Sequence, residues 1–272
     1  MSRPLVQVTD LSVRYSERAN RSVLALDKVS LSVWPGEVLA IVGESGSGKS
    51  TLAAAFLRLL PSTAQCTGSI LFGGDDLLAM HPRDLRHLRG SRLSLIPQDP
   101  ASALHPVLRI GTQLSEVLRA HLRMSGAERQ ARVRELLSQV GFKDPERIAL
   151  SYPHQLSGGE RQRVVIAQAI ACRPVLIVAD ESTSKLDGPL QAETISLLSE
   201  VVSGHGTALI WITHELATVA GFATRLAVMQ AGRVVEEGRT QDLLGRPMHV
   251  YTRDLVGLSR ERTLTLGRAA GE

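Results

Sequence analysis

Residues 43–51 read GESGSGKST, a run of small residues ending in a lysine and two hydroxyls. The spacing is G-x-x-x-x-G-K-[ST], and the run lies between the apolar stretch EVLAIVG and the helix-like KSTLAAAFLRLL. Glycines at 43, 46 and 48 let the backbone N–H groups of Glu44, Ser45 and Ser47 come close to an anion. The helix N-terminus adds a favourable dipole. Lys49 is placed to reach β- and γ-phosphates, Ser50 to hold Mg2+, and Thr51 to help bind phosphate. The chemistry is nucleoside triphosphate binding. The N-K-x-D motif that specifies guanine is absent, which weighs against a GTPase.

A second set of residues suits metal and water. Asp180 and Glu181 follow the apolar run VLIVA and open the stretch DESTSKLD, whose Lys185 is one of four lysines in the chain. Upstream, HQLSGGERQRVVIAQAI starts a helix at Ser157. Ser157 and Glu160 form an S-x-x-E capping box, while Gly158 and Gly159 leave the first N–H groups open to an approaching anion. His214 precedes Glu215, but HELAT lacks the second histidine of H-E-x-x-H, so no zinc site is expected.

Hydrophobic period places the elements that must hold these groups. LVQVTDLSVRY and VSLSVWPG read as edge strands before the buried strand EVLAIVG. KSTLAAAFLRLL reads as a helix stopped by Pro61, GSILFGGDDLL as a hairpin, RDLRHLRGSR as a short basic helix and RLSLIPQ as a strand. Helical period runs from about 107 to 172. Strands return with PVLIVAD and TALIWITH around the helix PLQAETISLLSEVV. RLAVMQAGRVVEEG is a hairpin turning near Ala231 and Gly232, followed by a short helix and a polar tail. The layout is an α/β core with a helical insertion and β strands at its N-terminal flank.

With 272 residues, 43% of them apolar and 21% charged, the chain has the balance of a globular protein with a sizeable core. A net charge of +4 is too small an excess to argue for nucleic acid, and 3% aromatics leave few stacking platforms. Arg83, Arg86, Arg89 and Arg92 in the basic helix read as a solvated face, not a membrane patch. Cys66 and Cys172 fit no metal or disulfide spacing and are expected as buried small hydrophobes in a reducing compartment. The N-terminus has no signal pattern, and no run reaches the roughly 18 apolar residues of a membrane span.

The order of the phosphate loop, LIPQDP, LSGGE, ADE and WITHE resembles that of ABC-type ATPases over roughly residues 5–255. The resemblance implies an α/β P-loop NTPase with a RecA-like core, an antiparallel β subdomain and a helical subdomain. The ABC ATPase domain then spans 1–260, with the helical subdomain at about 100–172 and a short tail at 261–272. It also implies roles. Tyr15 in LSVRY stacks on adenine, and the loop from Gly43 to Thr51 binds the phosphates of ATP. Ser50, Gln98 and Asp180 hold Mg2+, Glu181 is the general base, and Gln98 and His214 organise the attacking water. Ser157, Gly158 and Gly159 bind the γ-phosphate of ATP held by a second ATPase subunit, and Asp187 is the aspartate of the D-loop. Hydrolysis is therefore expected only in a two-subunit sandwich, as a homodimer or with a sister ATPase. The family usually shows DEPTSALD where this chain has Ser182 and Lys185. Every group that must touch metal, water or partner is retained, so the stretch is expected to be competent, with Lys185 facing solvent near the dimer seam.

PQDPASALHPVLRIGTQLSEVL, SYPHQLSGGERQRV and YTRDLV are similar to segments of ATPases from oligopeptide, dipeptide and nickel importers. This implies an ATP-binding subunit that powers uptake of peptides or of nickel or a metallophore. Its expected partners are two transmembrane permeases and, indirectly, an extracytoplasmic binding protein, with the subunit peripheral on the cytoplasmic face of the inner membrane. By the same analogy the permease docks in the groove from Gln98 to Val107, so Leu104→Asp is expected to uncouple it. No cysteine follows Cys172, so no iron–sulfur centre is expected. The subgroup also resembles ATPases bound to the carbon–phosphorus lyase complex, which is the alternative function. Chromosome and DNA-repair ATPases require long coiled-coil insertions, which the sequence lacks.

Overall fold

The computed structural model describes residues 3–16, 22–182 and 188–269. It divides into two units, Met1–Met80 with Ala208–Glu272, and His81–Thr207. The first unit opens with β1 (Val6–Ser16), β2 (Ser22–Val33), β3 (Val38–Val42), α1 (Lys49–Phe56), β4 (Ala64–Phe72) and β5 (Asp75–Asp76). The second holds α2 (Pro82–Leu88), β6 (Leu93–Ile96), α3 (Pro100–Ala103), α4 (Ile110–His121), α5 (Gly126–Gln139), α6 (Pro145–Leu150), α7 (Gly158–Ile170), β7 (Leu176–Asp180) and α8 (Gly188–His205). The chain then returns to the first unit through β8 (Ala208–Thr213), α9 (Leu216–Val219), β9 (Arg225–Gln230), β10 (Arg233–Arg239), α10 (Thr240–Gly245) and α11 (Val250–Ala269).

In the first unit, β1, β2, β4 and β5 form an antiparallel sheet in the order β2-β1-β4-β5. The strand β1 is thus interior, not the edge strand its position in the sequence suggested. β3 pairs in parallel with β8 on one side and with β9 on the other. All five residues of β3 are buried, as expected of a parallel strand covered on both faces. The β9–β10 hairpin turns at Ala231 and Gly232, both with positive φ (47° and 81°), the pattern of a two-residue primed turn.

Helix α1 stops at Phe56, before Pro61 is reached. Arg58 adopts a left-handed φ of 50°, its N–H bonds Ala55 O at 2.9 Å, and the Leu59 N–H bonds Ala54 O at 2.7 Å. That pair is a Schellman closure, which satisfies the last carbonyls without a proline. At the other end of the chain, α11 runs through residue 260 to Ala269, where a tail was expected.

Neither cysteine is buried, contrary to expectation. Cys66 is exposed and Cys172 partly so. β5 is two residues long and pairs with Leu71 and Phe72, so among the described residues the part of β4 that carries Cys66 has no strand on that side.

In the second unit β6 and β7 are parallel, with Leu93 opposite Leu176 and Ile96 opposite Ala179. Helices α4 to α7 pack around Ile110, Leu114, Leu136 and Ile166, all fully buried. The basic helix α2 buries only Leu85, so Arg83 and Arg86 are solvated.

Candidate nucleotide site

In the first unit the phosphate loop leaves β3 after Val42 and enters α1 at Lys49. Gly46 and Gly48 have φ of 82° and 102°, conformations that favour glycine. Their surroundings differ. A Cβ at Gly48 would lie 2.6 Å from Ala25 O, whereas at Gly46 nothing among the described residues lies within 4 Å. Gly43 is equally pinned, since a Cβ there would lie 2.2 Å from Met229 O. The loop is braced at both ends and open at its middle glycine. Lys49, 4% exposed, donates from Nζ to Gly43 O and Glu44 O, each at 2.8 Å. The Gly232 N–H donates to Ser47 O at 3.0 Å, so the hairpin turn supports the loop from outside.

Two other expected residues join the loop in this unit. Tyr15 Oη is 3.3 Å from Thr51 Oγ1, which sets the half-buried ring beside the start of α1. Val42 pairs with Thr213 in the parallel β3–β8 ladder, so Gly43 and the exposed His214 leave neighbouring strands at the same edge. Ligands of open α/β sheets bind at this carboxyl edge.

In the second unit the same logic unites Gln98, Asp180 and Glu181. β6 and β7 are parallel, and the residues just beyond their C-terminal ends meet: Gln98 Nε2 donates to Glu181 Oε2 at 2.8 Å. Glu181 has a φ of 44°, a left-handed backbone at a non-glycine residue. Ser182 is buried, and its hydroxyl has no hydrogen-bond partner among the described residues. Asp187 and the neighbouring Thr183, Ser184, Lys185 and Leu186 lie outside the described residues.

The α7 start is also in the second unit. Ser157 Oγ accepts the Glu160 N–H at 3.2 Å, and Glu160 Oε2 accepts the Ser157 N–H at 2.8 Å, completing the capping box. The Ser157 N–H holds the Glu160 carboxyl below its usual range. Gly158 is exposed with nothing among the described residues near a would-be Cβ, while a Cβ at Gly159 would lie 2.3 Å from Leu190 Cδ2. One glycine therefore keeps the helix end accessible and the other permits packing against α8.

Leu104 does not suit the role of a docking probe. It is 4% exposed, while Val107 is 71% exposed. An aspartate at 104 would bury a charge, whereas Val107 is an exposed large apolar residue of that segment. The sequence also gave no role to Tyr251. Its hydroxyl accepts the Glu44 N–H of the phosphate loop at 2.9 Å.

A sequence profile described as ABC transporter matches residues 26–184. The chain is similar to the peptidoglycan transport ATP-binding protein YejF of Agrobacterium fabrum, 46% identical over 94% of this chain and 47% of that protein. It is similar to the dipeptide transport ATP-binding protein DppD of Haemophilus influenzae, 44% identical over 93% of this chain and 76% of that protein. The chain thus spans about half the length of the first relative and about three quarters of the second. Among solved structures, an ATP-binding cassette in a dimeric post-hydrolysis state with ADP and Pi has a TM-score of 0.77. It is 29% identical and covers 86% of this chain and 98% of that one.

Proposed function

This chain belongs to the ABC transporter family, and on that premise we propose that it is the ATP-hydrolysing subunit of a bacterial importer of peptides. The observation that carries the reading is the phosphate loop of the first unit: a buried Lys49 anchored on Gly43 O and Glu44 O, with His214 leaving the adjacent strand. The relatives, named for peptidoglycan and dipeptide transport, favour peptides over the nickel or metallophore alternative. Neither is a lyase subunit, and the carbon–phosphorus lyase alternative draws no support from them.

Phosphoryl transfer depends on positioning and charge neutralisation more than on covalent chemistry. Tyr15 packs on the base, the loop N–H groups from Ser45 to Thr51 bind phosphate oxygens while that of Glu44 is held by the Tyr251 hydroxyl, and Lys49 takes up charge developing on the γ-phosphate. Glu181 accepts a proton from the attacking water, and Gln98 and His214 orient that water. The hydroxyl of Ser50, the carboxylate of Asp180 and the amide oxygen of Gln98 are hard oxygen donors of the kind Mg2+ prefers. When bound, Mg2+ offsets charge on the β- and γ-phosphates. Ser157 and the N–H groups of Gly158 and Gly159, with the Asp187 loop, serve the nucleotide of a second cassette in a homodimer or a sister pair. The helix end supplies donors where negative charge grows.

The subunit is held at the cytoplasmic face of the inner membrane by two permeases. Among the described residues no helix is long and apolar enough to cross a membrane. Affinity capture from detergent-solubilised membranes of the native host tests this: two permeases and a second cassette are expected, and labelled dipeptide uptake is lost on gene deletion. Recovery of a soluble lyase complex, or undiminished dipeptide uptake, overturns the reading.

A further inference from the structure

Tyr251 and Glu44 are 207 residues apart in the chain, yet the Tyr251 hydroxyl accepts the Glu44 N–H at 2.9 Å. That N–H and the Gly43 carbonyl belong to one peptide unit, which is planar, with its N–H and C=O pointing opposite ways. The same carbonyl accepts Lys49 Nζ at 2.8 Å. Setting the direction of the N–H therefore sets the direction of the carbonyl, and with it an anchor of the phosphate-binding lysine.

The tyrosine is itself held in place. Its own N–H donates to His249 Nδ1 at 3.2 Å, and Glu236 on β10 accepts from the N–H groups of Met248 at 2.8 Å and His249 at 3.0 Å. The turn of the same hairpin donates to Ser47 O. The β9–β10 hairpin thus supports the phosphate loop directly at Ser47 and, through the start of α11, at Glu44.

We propose that Tyr251 is a positioning residue for ATP binding, which orients Lys49 through the Gly43–Glu44 peptide. The inference rests on the nucleotide-binding reading above. Tyr251→Phe keeps the ring and removes only the oxygen. ATP binding with Mg2+ and steady-state ATPase kinetics are measured on the full chain for the parent, Tyr251→Phe, Lys49→Ala and the double variant. Tyr251→Phe is expected to weaken ATP affinity and raise KM roughly twofold to tenfold, the range of one neutral hydrogen bond, with little change in kcat. Exchange of the Glu44 amide without nucleotide should accelerate. Because the effect passes through Lys49, the substitution should add little in the Lys49→Ala background. Unchanged affinity in folded Tyr251→Phe, a loss confined to kcat, or full additivity with Lys49→Ala overturns the proposal alone. A parent chain that binds no ATP overturns the nucleotide reading, and the inference with it.

Discussion

The side-chain amide of Gln98 donates to Glu181 Oε2 at 2.8 Å, just past the C-terminal ends of the paired strands β6 and β7. The carboxylate is steered from both sides, because the Glu181 backbone is itself held at a φ of 44°. Such a conformation costs a non-glycine residue on the order of 1 kcal/mol or more, and such strain clusters at functional sites.

Glu181→Gln should therefore keep ATP binding and lose hydrolysis. General-base removal typically costs about 100-fold or more in rate, and a nucleotide-bound dimer should accumulate. Steady-state ATPase assays and size-exclusion chromatography with ATP report both; ordinary turnover would remove Glu181 from this role.

The glycines of the phosphate loop should separate folding from binding. Gly48→Ala places a methyl 2.6 Å from Ala25 O on a backbone with φ of 102°, and a stability loss of about 2 kcal/mol or more is expected. Gly46→Ala meets no neighbour within 4 Å among the described residues. Its cost should be the backbone term alone, roughly 1 kcal/mol, while ATP affinity falls because the methyl occupies the open side of the loop. Thermal unfolding and nucleotide titration of the two variants distinguish these outcomes.

Arg225 bonds Glu37 Oε1 at 2.9 Å and also pairs with Glu237. Burial raises the Glu237 carboxyl above its ordinary range, with Glu37 adding to the shift and Arg225 opposing it. Arg225→Ala leaves two facing carboxylates and should cost about 3 kcal/mol or more. A carboxyl with a raised folded pKa favours the fold below its unfolded value, and that stability is lost as pH rises through the folded value. The variant should accordingly regain stability on acidification toward the ordinary Glu value of 4.5, as followed by urea denaturation across pH. A variant equally stable at neutral and acidic pH would show that the carboxylates do not repel.

Val107, 71% exposed, should report on permease docking where Leu104, 4% exposed, reports on folding. Val107→Asp should reduce recovery of permeases on capture while sparing ATP binding and thermal stability. Leu104→Asp should lower stability by several kcal/mol. Undiminished capture by Val107→Asp would move the docking surface elsewhere.

Local chemistry was legible from the residues alone. The spacing of GESGSGKST, the S-x-x-E cap at Ser157 and the turn at Ala231–Gly232 each depend on interactions within a few positions, so type and spacing suffice to read them. The parallel strands behind Gln98, Glu181 and His214 were also visible as apolar runs. Other features depend on distant neighbours. The early end of α1 hangs on a left-handed Arg58, a conformation that residue type does not announce. Cys66 is exposed because β5 is too short to flank it, and Leu104 is buried although it lies in a stretch read as a docking surface. The contact between Glu44 and Tyr251 joins residues 207 positions apart, and no periodicity or motif encodes such a pair. Sequence determined where the glycine-rich loop, the helix cap and the hairpin turn fall, because backbone conformation and hydrogen-bonding capacity are local properties. Tertiary structure alone decided that the loop is braced by Met229, Gly232 and Tyr251, because burial and orientation are set by chain segments that meet only on folding.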